Sequence, residues 1–184
     1  ILLDAHKLHV AIKVTEELLY DNAFNLESYI LNAFSKALSN AEEDAFLNGD
    51  GVGKPLGVLK EVGGGEIAVT TSGANITADE IMNLVYALKR PYRKNAVFLT
   101  NDQTLAAIRK LKDGNGAYLW QPSLQQGEPD RLFGYKVYTS PFFPTITAGK
   151  PAFAFGDFSY YNIGDRGSRT FSELRELFAG NGMV

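Results

Sequence analysis

Glycines, a lysine and an aspartate crowd the stretch Gly49-Asp50-Gly51-Val52-Gly53-Lys54-Pro55, the mix from which phosphate-cradling loops are built. Such a loop works because backbone N–H groups, freed of side chains, converge on phosphate oxygens while the lysine supplies charge. The spacing fails that chemistry at three points. The first glycine of a phosphate loop falls on Asn48, the hydroxyl residue due after the lysine is Pro55, and a helical pattern precedes the loop where a strand is required. A dinucleotide fingerprint fails as well, because Lys54 stands where its third glycine belongs. A calcium loop needs oxygen ligands at its first, third, fifth and twelfth positions. Counted from Asn48 the fifth position is Val52, and counted from Asp50 the third is Val52. The stretch therefore reads as a helix stop followed by turns.

His6 and His9 are the only histidines. They stand three apart beside an alternating segment, so on a strand they point to opposite faces and share a metal poorly. A surface or strand-edge place is expected for both. Carboxylates gather at Glu16-Glu17, at Glu42-Glu43-Asp44 and at Glu173 and Glu176. Glycosidase-type acid–base work needs two carboxylates facing across a cleft, which neighbouring positions do not supply, and such runs are usually solvated faces. Glu43 and Asp44 oppose the dipole of the helix they help to end, and Arg166 or Arg169 are candidate partners for them. No Gly-x-Ser-x-Gly elbow occurs. Trp120, with Tyr118, Leu119 and Pro122 around it, is expected to anchor the core or to meet another subunit. No catalytic, cofactor-binding or metal-ligating residue is assigned, and no enzyme activity is expected.

Composition bounds the rest. The chain has 184 residues, enough for one domain or two small intertwined ones, with ordinary hydrophobic (45%) and charged (21%) fractions for a globular protein. A net charge of −3 argues against a chain that grips nucleic acid by neutralising phosphates. Without cysteine, disulfides, thiol catalysis and thiolate metal sites are excluded, which suits a reducing cytoplasm. No apolar run approaches the ~20 residues of a membrane-spanning helix. The start Ile1-Leu2-Leu3-Asp4 reads as neither a signal peptide nor a natural beginning, and Gly182-Met183-Val184 reads as a cut end.

The elements follow from periodicity. Leu8, Val10, Ile12 and Val14 alternate with polar residues, predicting a half-buried strand. Leu26, Ile30, Phe34, Leu38 and Ala41 then recur at helical spacing, capped by Asp21 or Asn22 and stopped after Leu47 by Asn48-Gly49. A helix of about 25 residues would measure about 40 Å, twice the usual length. Composition shifts at Gly49, where a glycine-rich stretch running to Gly73 suggests a domain boundary. Thr77-Ala78-Asp79-Glu80 is a capping box opening a helix with Ile81, Leu84, Val85 and Leu88 inward, closed by Pro91. Residues 96–100 form a short strand, and Asn101 caps a helix carrying Leu105, Ile108 and Leu111 that ends at Gly114-Asn115-Gly116. Strands are expected at 135–139, 151–155 and 160–164, while 172–178 suits either helix or strand.

Six stretches in order carry a resemblance. They are Lys13-Val14-Thr15-Glu16-Glu17-Leu18-Leu19, then Ala41-Glu42-Glu43-Asp44-Ala45-Phe46-Leu47-Asn48-Gly49, then Gly53-Lys54-Pro55-Leu56-Gly57. Next come Leu111-Lys112-Asp113 with Tyr118-Leu119-Trp120-Gln121-Pro122-Ser123-Leu124, Leu132-Phe133-Gly134-Tyr135-Lys136-Val137, and Phe155-Gly156-Asp157-Phe158. With these the sequence resembles the major capsid protein family of tailed bacteriophages, whose Hong Kong-97 type fold is shared with encapsulin nanocompartments.

The resemblance implies an α+β capsid fold. A peripheral domain, with a long spine helix and an elongated antiparallel sheet, would comprise residues 1–48 and 166–184. A compact axial domain of mixed sheet and helices would comprise residues 49–165. It implies self-assembly of homo-oligomeric capsomers, pentamers and hexamers, into an icosahedral phage or prophage head. That virion shell encloses DNA without sequence-specific binding, assembles in the bacterial host cytoplasm, and needs a scaffold and a maturation protease but no membrane and no cofactor. Family members also carry an N-terminal arm, an overlapping extended loop and a last peripheral strand. Only the returning strand of that loop is expected here, around residues 5–14, so the chain reads as a trimmed core that adheres non-covalently. The alternatives are an encapsulin-like nanocompartment shell protein and a small α+β enzyme with an unrecognised site.

Overall fold

The computed structural model describes residues 4–12, 14, 25–71, 76–112, 131–168 and 170–172. Helix α1 (Leu26–Asn48) has 23 residues, about 35 Å of helix. Its cap is Asn25, whose side chain accepts from the Ser28 N–H at 3.2 Å; Asp21 and Asn22 lie outside the described residues. The expected apolar stripe is its half-buried face, yet Leu47 alone is fully buried.

The last carbonyls of α1 have no partners inside the helix, and the glycine stretch supplies them. The N–H groups of Val58 and Leu59 donate to the carbonyls of Phe46 and Leu47 at 2.8 and 3.0 Å, and Gly57 N–H donates to Gly49 at 2.9 Å. The approach is so close that a Cβ on Gly57 would overlap the Leu47 carbonyl and the Gly49 nitrogen. Glycine here is a packing requirement.

Four strands form one mixed sheet in the order β2-β3-β1-β4, from β1 (Val97–Thr100), β2 (Arg131–Leu132), β3 (Tyr135–Thr139) and β4 (Phe153–Gly156). β1 runs parallel to β3, with Leu99 opposite Tyr138, and antiparallel to β4. Helices α2 (Ala78–Ala87) and α3 (Asp102–Arg109) supply Ile81, Val85, Leu105 and Ile108 to a core that also takes Phe98, Leu132 and Val137. Phe98 is its hub, fully buried, with ring centroids at 4.5 Å from Phe155 and 6.3 Å from Tyr135. The capping box closes reciprocally: Thr77 Oγ1 accepts from Glu80 N–H at 3.3 Å and a Glu80 carboxylate oxygen accepts from Thr77 N–H at 2.9 Å. Asn101 caps α3 by accepting from Gln103 N–H.

Four expectations change. α3 stops at Arg109, where the N–H groups of Lys110 and Leu111 turn back to the carbonyls of Ala107 and Ile108, so Leu111 lies beyond the helix; Gly114, Asn115 and Gly116 lie outside the described residues. α2 ends at Ala87, and Pro91 sits instead in a 3-10 helix (Arg90–Asn95) whose Arg93 donates to the Leu88 and Tyr86 carbonyls at 2.6 and 2.8 Å. That side chain satisfies the orphan carbonyls of α2, so the helix stops on an arginine rather than on the proline. Residues 160–164 form no strand: Asp157 accepts from Ser159 N–H and starts a 3-10 helix (Phe158–Tyr160), and Tyr161 then turns toward α1. Residues 8–12 also form no strand, and Leu8, Val10 and Ile12 are exposed, because nothing among the described residues offers them a ladder.

Phe98→Ala should lower the unfolding free energy by about 3–5 kcal/mol in urea titration. Thr104 Oγ1 is buried and has no hydrogen-bond partner among the described residues. Thr104→Val removes that hydroxyl at constant shape and should raise stability by about 1 kcal/mol in the same titration.

Candidate assembly surface

The sheet has two faces with different fates. Phe98 and Thr100 point into the core and are fully buried, whereas Leu99 alternates to the other side. There it lines an open concavity of about 320 Å³ together with Ser39, Glu42, Glu43, Phe46 and Leu47 of α1. Its floor is apolar and its rim carries two carboxylates. Alternation along β1 and helical spacing along α1 thus place Glu42 and Glu43 of the predicted acidic run beside partly buried hydrocarbon.

Where the chain leaves the sheet, it returns along α1. The Tyr161 ring packs edge-on against Phe46 at 6.1 Å, its hydroxyl donates to the Leu56 carbonyl at 2.8 Å, and Phe171 meets Phe34 at 5.9 Å. Burial pushes the Tyr161 hydroxyl above its ordinary value of 10.0. A second bond joins α1 to the sheet's loops: Asn48 Nδ2 donates to Asp44 Oδ1 at 2.9 Å and to the Phe142 carbonyl at 2.8 Å.

At the sheet's outer edge the chain turns through Phe133 and Gly134, with φ of 50° and 83°. Positive φ at both positions is the two-residue hairpin geometry that favours Asn-Gly. Phe133 is the sole described non-glycine residue in that region, and its ring is half exposed. Arg131 and Lys136 stand directly opposite each other in the hairpin, both exposed.

The residues singled out by sequence fall as follows. The loop at Gly49–Pro55 closes by a bridge between Asp50 and Leu56, and Asp50 Oδ1 accepts from Val52 N–H at 3.1 Å, which holds its carboxyl below the usual value of 3.8. Its glycines take positive φ at Gly51 and Gly53, as turns require. Asp44 bonds to Asn48, and Arg166 is exposed. His6 is half-buried and His9 exposed. Among the described residues no three His, Cys, Asp or Glu side chains are grouped to hold a metal ion, and no helix is long and apolar enough to cross a membrane. Glu16, Glu17, Tyr118, Leu119, Trp120, Pro122, Arg169, Glu173 and Glu176 lie outside the described residues. Sequence reasoning missed Asn48 as a bridge, Arg93 as a cap and Phe133 as a strained tip. Only the last left a local signal, the Phe-Gly pair between alternating segments.

Residues 1–184 match the model of the phage capsid family. The chain is 27% identical to the major capsid protein of Enterobacteria phage HK97 over 157 residues, which is 85% of this chain and 39% of that protein. Among solved structures it is similar to the capsid of an empty GTA particle computed with C5 symmetry, at 40% identity and a TM-score of 0.71. The capsid of a native GTA particle computed with C5 symmetry gives 39% and 0.72. Both alignments cover 83% of this chain and 56% of the other. The chain thus spans well under two thirds of these relatives' own length. The α+β architecture of mixed helices and sheet agrees with theirs.

The Tyr161 shift carries a sign. Folding favours the neutral hydroxyl, so its contribution is complete below pH 10.0 and is lost as pH rises through the higher folded value. Tyr161→Phe should flatten this alkaline decline in melting temperature and cost about 0.5–1 kcal/mol at neutral pH through the lost bond to Leu56. An unchanged alkaline limb would show that Tyr161 does not set it.

Proposed function

The chain belongs to the phage capsid family, and from that premise we propose that it is a piece of the shell-forming subunit of an icosahedral phage or prophage head. The observation that carries this reading is α1. A 23-residue helix with Leu47 as its one fully buried residue leaves its apolar stripe only half covered among the described residues. Tyr29 and Leu31 on it, and Leu8, Val10 and Ile12 before it, are exposed apolar side chains that neighbouring subunits would cover.

In this reading residues 1–48 and 166–184 form the peripheral domain and residues 49–165 the axial domain at the capsomer centre. The ring contacts from Tyr161 and Phe171 back to α1 support a chain that returns to the periphery near its end. The role is mechanical: pentamers and hexamers of one subunit, held by apolar contact and complementary charge, close around DNA without reading its sequence. A scaffold and a maturation protease would act on the complete subunit in the host cytoplasm, and the mature product would reside in the virion.

Negative-stain electron microscopy of the complete reading frame, expressed with any upstream protease and scaffold, tests this directly. Closed particles of uniform diameter are expected, large enough for a phage head. Small particles of nanocompartment size would replace the phage reading with an enzyme-storage shell. A protein that stays monomeric under every assembly condition would sink both.

A further inference from the structure

The hairpin at Phe133 breaks three local rules at once. A bulky residue occupies a left-handed position that asparagine or glycine adopts at less cost. Two cations, Arg131 and Lys136, face each other across the strands, an arrangement that repels. A large aromatic ring is left half exposed at the tip. Nothing among the described residues repays these choices. Backbone outliers of this kind mark sites where the strained residue does something elsewhere.

The concavity on the opposite sheet face has the complementary character. Its floor is Phe46, Leu47 and Leu99, and its volume of about 320 Å³ is enough for a phenyl ring. Glu42 and Glu43 on its rim answer two cations flanking the ring. One chain cannot make this contact with itself. Leu99 pairs with Tyr138, five residues beyond Phe133 on β3, so the tip is roughly 16 Å along the sheet from the concavity. The two-residue turn leaves no slack to bridge that gap.

We propose that the Phe133 hairpin of one copy docks into the α1–β1 concavity of a second copy, with the ring on the apolar floor and Arg131 and Lys136 against Glu42 and Glu43. This joins two different surfaces of the same chain, so the contact is heterologous and propagates around a ring. As an interface between shell subunits it rests on the capsid reading. As a contact between two copies it does not.

Two arms separate those dependencies. The chain has no cysteine, so a Lys136→Cys chain and a Glu43→Cys chain, which keep Phe133 and the other charge pair, prepared separately and mixed under oxidising conditions, should form a disulfide-linked heterodimer, while either alone should not. Absence of that heterodimer overturns the docking, whatever electron microscopy shows of the shell. In the assembly arm, Glu43→Lys should reduce particle yield about tenfold, and combining it with Arg131→Glu should restore most of the yield. A Glu43→Lys variant that assembles like the parent, or a double variant no better than the single, overturns the proposal in shells. Phe133→Asn separates folding from docking, because it should melt higher than the parent yet assemble less. If it melts lower, the strain argument fails.

Discussion

Two adjacent carbonyls hold this molecule in its shape. Phe142 accepts from Asn48 at the end of α1, and Phe143 accepts from Asn101 at the start of α3, each at 2.8 Å. The donors come from the two elements that must be fixed relative to each other, and the acceptors are neighbours on one short loop. Pro141 and Pro144 bracket the loop, stiffening it and removing two N–H groups that would need partners. Phe143 is almost fully buried, so its carbonyl would be costly if left unpaired. Ser140 completes the knot: its N–H donates to the Thr100 carbonyl at 3.0 Å and its hydroxyl accepts from Phe142 N–H at 3.2 Å. The buried polar residues Thr100, Asn101 and Ser140 thus meet at the carboxyl ends of β1 and β3. Satisfied in this way, a polar cluster gives one orientation where apolar packing alone would accept several.

The position of α1 depends on that knot. With one residue fully buried, the helix cannot be oriented by a broad hydrophobic face. It is held at its last turns by Asn48, by the Val58 and Leu59 bonds to its final carbonyls, and by the Phe46–Tyr161 contact. Phe34 and Phe171 add a grip farther back. A long rod fastened mainly near one end is stiff along its own axis and depends on its fastening for direction. Its apolar stripe is left only half covered.

Local chemistry was legible and long-range chemistry was not. The Thr77–Glu80 capping box, the Asn101 cap and the strand at 135–139 were readable because each is decided within a few residues. The stripe on α1 was readable because Leu26, Ile30, Phe34 and Leu38 repeat with the helix. Asn48 read as a helix stop, and its bond to a carbonyl 94 residues away has no periodic trace. Arg93 drew no reading from the sequence, though its guanidinium closes a helix that ended several residues earlier. Alternation at Leu8, Val10 and Ile12 was a true pattern without a partner among the described residues, since alternation states which side would be buried and not by what. The ordered stretches that carry the family resemblance did what local rules could not, because they encode a whole topology at once.

Exposed apolar side chains recur along the described residues, from Leu8 and Val52 to Ile67 and Phe171, and two features bear on the proposed docking. The Phe98 face of the sheet is closed by α2 and α3, while the Leu99 face is open beside α1. The inner strands are paired on both edges, while the β2–β3 hairpin at the rim carries a strained aromatic at its turn and two facing cations, one on each strand. In the proposed docking, the strained tip with its two cations and the open concavity with its two rim carboxylates would cover each other. In that arrangement substitutions behind Phe98 would act on folding, substitutions around Leu99 on association, and substitutions at Phe133 on both.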